Sequence, residues 1–251
     1  MNALLEGLRW LADGENWQGP SGIPARLAEH LWLTVISVGV ACAIAIPIGL
    51  WLGHVGRGGT LAINVSNAGR AVPVYAVLSL LFLVYGVSAA TWSTVVALVL
   101  FAIPPILTNT YVGMREVDRD TVDAARGMGM NAAQLLRRVE LPLAVPLLMN
   151  GVRIAAVQVV ATATIAALVA GPGLGRIITA GYRTQDLPQI IGGSILVAVL
   201  ALLVEGLMEW LQRRVDPVLR ARRTARRRRP GTVAGRDRTV TEFPDELVSA
   251  G

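Results

Sequence analysis

The stretch DAARGMGMNAAQLLRRVELP, residues 123–142, decides how the chain reads. It carries Arg126, Arg137 and Arg138, the acids Asp123 and Glu140, and two glycines, and it sits between long apolar runs. Asp120, just upstream, suits a helix start with Asp123 reaching back toward it, so DTVDAAR reads as a short helix with its acids at the positive end of the dipole. Gly127 and Gly129 loosen or turn the chain. Asn131 offers a second cap, and AAQLLRRVEL is a strong helix former expected to end near Pro142. Two short helices joined at a glycine thus interrupt a greasy sequence. Ala124 and Ala125 permit close backbone approach, while Leu135, Leu136 and Val139 form an apolar edge. From the residues alone that surface serves a partner protein or the lipid headgroups equally, Arg137 and Arg138 favouring the latter.

Working outward, the 251 residues are 53% hydrophobic and 16% charged, with a mean hydropathy of +0.55. That balance implies an all-α integral membrane protein built as one domain. A helix needs about 20 apolar residues to cross a hydrocarbon core of roughly 30 Å. Five stretches meet or approach this: 31–53, 71–86, 94–113, 143–170 and 190–211. The expected organisation is an N-terminal extracytoplasmic segment (1–26), a transmembrane domain (27–212) and a basic tail (213–251).

All 23 basic residues are arginine. Without lysine the chain cannot form a Walker-type phosphate loop, which excludes nucleotide hydrolysis of that kind on this polypeptide. Arginines crowd residues 54–70, 114–142 and the chain after Gln212, whereas Arg9, Arg26, Arg176 and Arg183 are the ones expected on the other side. The asymmetry places the opening stretch and the C-terminus in the cytoplasm and the N-terminus outside. Cys42, His30 and His54 are too few and too scattered for a disulfide framework or a metal site, and no cofactor is expected. Glu6, Asp13 and Glu15 argue against a secretory signal at the start. The tail, with RRVDPVLRARRTARRRRPG, cannot bury a core and is expected to be disordered. It suits anionic membrane lipid and topology-setting, in preference to nucleic acid.

Polar groups inside spans tend to face a bundle interior or a water-filled path. Asn109, Gln158 and Thr162 are the candidates for a translocation path, with packing between helices as the equal alternative, while Thr164 lies on another face of its helix and suits packing. Tyr75 and Tyr85 suit interfacial anchoring or the core or, alternatively, a face for a quaternary ammonium. Arg153, the charge within an apolar run, suits snorkelling or a fixed pair, the alternative being a pair that changes between states. Gly171, Gly173 and Gly175, with Pro172, break the chain after the fourth span, and LGRIITAGY follows as a short outer helix. That segment suits an external gate, a docking surface or a plain connector. An autonomous secondary transporter would call for an inverted repeat or ionisable midplane ligands, and neither is visible.

The opening stretch also resembles the EAA loop of membrane subunits of ATP-binding-cassette importers. Its pattern is Glu-Ala-Ala, three residues, Gly, nine residues, Ile, one residue, Leu-Pro. The matching positions here are Asp123, Ala124, Ala125, Gly129, Val139, Leu141 and Pro142, with aspartate for glutamate and valine for isoleucine. EHLWLTVISVGVACAIAIPIGLWLG, FAIPPILTNTYVGM and ATATIAALVAGPGLG extend the likeness across most of residues 27–212. They resemble the permeases of osmoprotectant uptake systems for glycine betaine, carnitine, choline or proline, with amino-acid permeases such as those for methionine close behind. The resemblance implies a type I importer permease fold whose hairpin is a coupling helix seated on a separate ATPase subunit. It implies a dimer of ATPase subunits, a second permease copy or homologous permease, and an extracytoplasmic substrate-binding protein as partners. It also implies alternating access without covalent catalysis by this chain.

Overall fold

The computed structural model describes residues 2–56 and 58–215. The tail expected to be disordered lies, from residue 216 on, outside the described residues. Its first three residues are helical instead, because the last helix carries through Arg213 and Arg214 to Val215.

The described residues form helices and turns, with no strand among them. In chain order the helices are α1 (Asn2–Ala12), α2 (Ile23–Val55), α3 (Gly59–Ala71), α4 (Val74–Tyr85) and α5 (Ala90–Arg115). They continue with α6 (Arg119–Gly127), α7 (Ala132–Leu135), α8 (Leu141–Ala163), α9 (Gly175–Thr184) and α10 (Leu187–Val215). A π-helical turn, Leu136–Glu140, joins α7 to α8, and a 3₁₀ turn, Ile165–Val169, follows α8.

Among the described residues, four helical stretches are long and apolar enough to cross a membrane: Ile23–Val55, Val87–Arg115, Ala132–Val169 and Leu187–Val215. The second expected span, 71–86, contains only the short apolar helix α4. α4 has 12 residues, about 18 Å of helix at 1.5 Å per residue, which falls short of the bilayer core. α3 precedes it in chain order. It had been expected as a cytoplasmic loop, since GTLAINVSNAGRA is only weakly apolar. Its close packing against α5 overrides that weak signal: a Cβ on Gly59 would collide with Tyr111, and one on Gly69 would press on Pro104. Val72, extended before Pro73, separates the two helices.

The centre of the bundle is α2, α5 and α8. Leu33, Ala41 and Ala45 meet Leu98, Ala102 and Ile106, and Ala155, Val159 and Ala163 close the third side. Small residues dominate these contacts, as suits helices that must approach closely where burial from water supplies no drive. A Cβ on Gly49 would stand 2.8 Å from Thr110 Cβ, and one on Gly151 would stand 2.6 Å from Asn109 Cβ. The N-terminal segment is likewise built into the bundle. α1 lies on α10, and α2 begins at Ile23, eight residues before the stretch the apolar run marked.

Candidate functional site

The hairpin forms as expected in outline and differs in three details. Its first helix is capped by Asp118, whose carboxylate accepts from the Asp120 N–H at 3.0 Å, so the cap lies two residues upstream of Asp120. Asn131 caps the second helix through a reciprocal box with Gln134: Asn131 Oδ1 accepts from Gln134 N at 2.9 Å and Gln134 Oε1 accepts from Asn131 N at 3.0 Å. Between them Gly129 turns the chain at φ +84°, a left-handed conformation natural to glycine.

The second difference is at Pro142. The helix does not end there but continues from α7 through the π turn into α8. Leu141 N–H donates to the Leu136 carbonyl five residues back, which shifts the hydrogen-bond register ahead of the proline. Pro142 then occupies the first turn of α8, where its missing N–H costs little.

The third difference concerns the apolar edge. Leu135 faces inward and, with Val117, Val122 and Ala125, forms the hairpin's own small core, against which Met130 and Val139 rest. Two classes of motif position result. Ala125 is buried, and Val139, Leu141 and Pro142 are half-buried, so these build the hairpin. Asp123, Ala124 and Gly129 are exposed, together with Met128 at 72% exposure, so these form the free tip.

The sequence reading passed over one contact of this region. Glu140, at the end of the π turn, is 3% exposed, and its Oε2 lies 2.5 Å from Nδ1 of His54 in the last turn of α2. A buried carboxylate is costly without such a partner. The two residues stand 86 positions apart, and no local pattern links them.

At the opposite end of α2 a second set of polar contacts holds the glycine-rich segment. His30 is fully buried; its Nε2 meets the Val160 carbonyl at 3.0 Å and its Nδ1 accepts from Leu174 N–H at 3.3 Å. A ring that donates at Nε2 and accepts at Nδ1 is the neutral imidazole. Glu29 Oε2 accepts from Gly173 N–H at 2.9 Å and also pairs with Arg26 at 3.0 Å. Arg176 donates to the carbonyls of Ala170 and Gly171, tying off the turn. Gly171, Gly173 and Gly175 are all buried: their Cβ positions would meet Ala166, His30 and the Thr164 carbonyl. An open cavity of about 540 Å³ lies beside this segment, lined by Trp10, Arg26, Arg176 and Arg183 among others.

Asn109, Gln158 and Thr162 do not converge. Asn109 donates to the Pro105 carbonyl at 2.8 Å and accepts from Asn150 at 3.3 Å, which clips α5 to α8. Thr162 is buried twelve residues further along α8 than Asn150, about 18 Å at the helical rise. Gln158 is half-buried between those levels. Thr164 spends its hydroxyl on the Ala161 carbonyl within its own helix. Tyr75 and Tyr85 stand at 50% and 62% exposure on α4, turned away from the bundle centre.

Comparison with known families bears on this arrangement. The family model described as the inner membrane component of binding-protein-dependent transport systems matches residues 45–220. The chain belongs to this family. The permease is 31% identical, over 76% of its length and 88% of the relative's, to the glycine betaine/carnitine/choline transport system permease protein OpuCB of Bacillus subtilis (strain 168). It is 36% identical to the carnitine transport permease protein OpuCB of Listeria monocytogenes, over 75% of this chain and 86% of that one. It is 35% identical to the osmoprotectant import permease protein OsmY of Salmonella typhimurium (strain LT2), over 75% and 80% respectively. Among solved structures the permease superposes on a chain of the inward-facing MetNI methionine ABC transporter with a TM-score of 0.65. The identity is 25%, and the match covers 74% of the permease and 93% of that chain. The permease therefore has the type I ABC importer fold, as its opening stretch implied.

Proposed function

We propose that this permease is the membrane subunit of an ATP-driven importer for osmoprotectants, with glycine betaine, choline, carnitine or proline as its substrate class. The observation that carries the proposal is an exposed hairpin tip with a matching EAA pattern, in a chain whose relatives are named for glycine betaine, carnitine, choline or osmoprotectants. In this reading the N-terminus is outside and the C-terminus cytoplasmic. Asp123, Ala124 and Gly129 seat the hairpin on a separate ATPase subunit, one of two, while Ala125, Val139, Leu141 and Pro142 hold its shape. The chain hydrolyses no ATP itself, in keeping with its lack of lysine.

A second permease, identical or homologous, completes the pathway. Of the three candidates for its lining, Gln158 and Thr162 are assigned to the path, whereas Asn109 serves as a clip between helices. The segment 171–175 is the external gate element, and the basic cavity beside it, with Arg26, Arg176 and Arg183, receives the extracytoplasmic binding protein. The cytoplasmic tail meets anionic lipid. A methionine importer is the second reading, favoured by the superposition on MetNI.

Uptake of labelled glycine betaine, choline, carnitine, proline and methionine, each measured after osmotic upshift in cells with and without this chain, tests the proposal. Chain-dependent uptake of one of the first four supports it. Chain-dependent uptake of methionine alone transfers the assignment to the second reading, and no dependence for any of the five overturns both.

A further inference from the structure

α2 joins the two polar ties described above. Its inner end holds the hairpin junction through His54 and Glu140, and its outer end holds the glycine-rich segment through Glu29 and His30. The two histidines are 24 residues apart on one uninterrupted helix, about 36 Å at 1.5 Å per residue. Pro47 removes one rung of the ladder without breaking it.

We propose that α2 is a strut that carries hairpin displacement to the external glycine segment, and that His54 and Glu140 are the positioning residues through which it is driven. This rests on the reading of the hairpin as the element docked on an ATPase.

Three observations support it. First, the hairpin reaches α8 through a π turn, which interrupts the α-helical hydrogen-bond register between the two, so α8 is not one regular helix with the hairpin. Second, the hairpin's other described side-chain ties are local: Asp118 to Asp120 N–H, Asn131 with Gln134, and Asp123 with Arg126. Glu140, by contrast, crosses to another helix from a buried position. Third, α2 below the tie is keyed to α5, with Gly53 against Met114 and Gly49 against Thr110, so a push on His54 moves a packed unit. Rigid secondary elements packed in this way, tied at both ends, can carry energetic coupling between distant sites.

The test uses the complete importer, this chain with its ATPase subunits and binding protein, in proteoliposomes where solute uptake and ATP hydrolysis are both followed. His54→Ala and Glu140→Gln are each expected to lower uptake per ATP hydrolysed by about tenfold while hydrolysis continues, within the span of mutational effects on coupling. The double variant is expected to be no worse than either single, because both remove the same contact. The exchange His54→Glu with Glu140→His is expected to restore part of the ratio. Glu140→Gln keeps the side-chain volume, and copurification with the ATPase verifies that each variant assembles. Unchanged ratios in assembled single variants, or additive losses in the double, overturn the strut. Absence of ATP-dependent uptake of any solute by the wild-type assembly overturns the importer reading itself.

Discussion

Arg153 of α8 and Glu205 of α10 meet at 2.5 Å, each about one-third exposed. The pair joins a charge within the run 143–170 to one within the run 190–211, and so ties two helices together. Glu205→Ala is expected to lower stability by about 1.5–3 kcal/mol, the range for a hydrogen bond to a charged group. The double change Arg153→Met with Glu205→Leu is expected to recover most of that loss, since it removes both charges together. Thermal unfolding of the purified protein in detergent measures it, and a Glu205→Ala protein as stable as wild type would show that the pair contributes nothing.

Gly129 sits at φ +84° with nothing within 4 Å of its Cβ position. Replacing it is thus a backbone matter inside the chain and a steric matter only toward a partner. Gly129→Ala is expected to cost about 1–2 kcal/mol for the left-handed conformation, and Gly129→Asn less. Gly129→Arg is expected to abolish uptake while the protein remains in the membrane if the tip docks on the ATPase as proposed. Full uptake by the arginine variant would remove the tip from the docking surface.

Gly173 combines φ +105° with His30 Nδ1 only 3.0 Å from a Cβ placed on it. Gly173→Ala is expected to destabilise by about 1–3 kcal/mol through backbone strain. Adding His30→Ala, which clears the contact, is not expected to rescue it, because the strain stays. Melting temperatures of the two variants separate strain from clash.

Gly151 faces Asn109 and Pro105, whereas Gly206 of α10 has open space around its Cβ position. Gly151→Val is expected to force α5 and α8 apart, at about 1–3 kcal/mol for overpacking. Gly206→Ala is expected to be neutral or to raise stability by about 0.5–1 kcal/mol through helix propensity. The paired comparison, read as melting temperature, separates close approach from the general effect of a glycine in a helix.

The features readable from the sequence were those whose cause is local. The Gly129 turn, the Asn131 cap, the break after the fourth span and the helix at LGRIITAGY each follow from neighbouring residues. What escaped depends on partners far along the chain. α3 has too few apolar residues to announce itself and is held by Tyr111 and Pro104 of α5. Pro142 signals a helix end unless a π turn precedes it, and no residue pattern marks that turn. Glu140 and His54 are individually unremarkable residues whose pairing only the packed bundle creates. The inward turn of Leu135 was hidden for the same reason: an amphipathic hairpin shows which side is apolar, not what covers it.

The seat of α1 has a consequence for how the protein is made. Gly7 lies against Ile191, and Trp10 lies against Gly192, so α1 rests on α10, a helix made much later in synthesis. Until α10 arrives, α1 lacks its main seat in the bundle. Its leucines at 4, 5 and 8, still exposed in the finished fold, give it an apolar side with which to wait in the membrane surface. Docking of α1 therefore waits on α10, and a chain interrupted before Leu187 would leave that helix without its main seat.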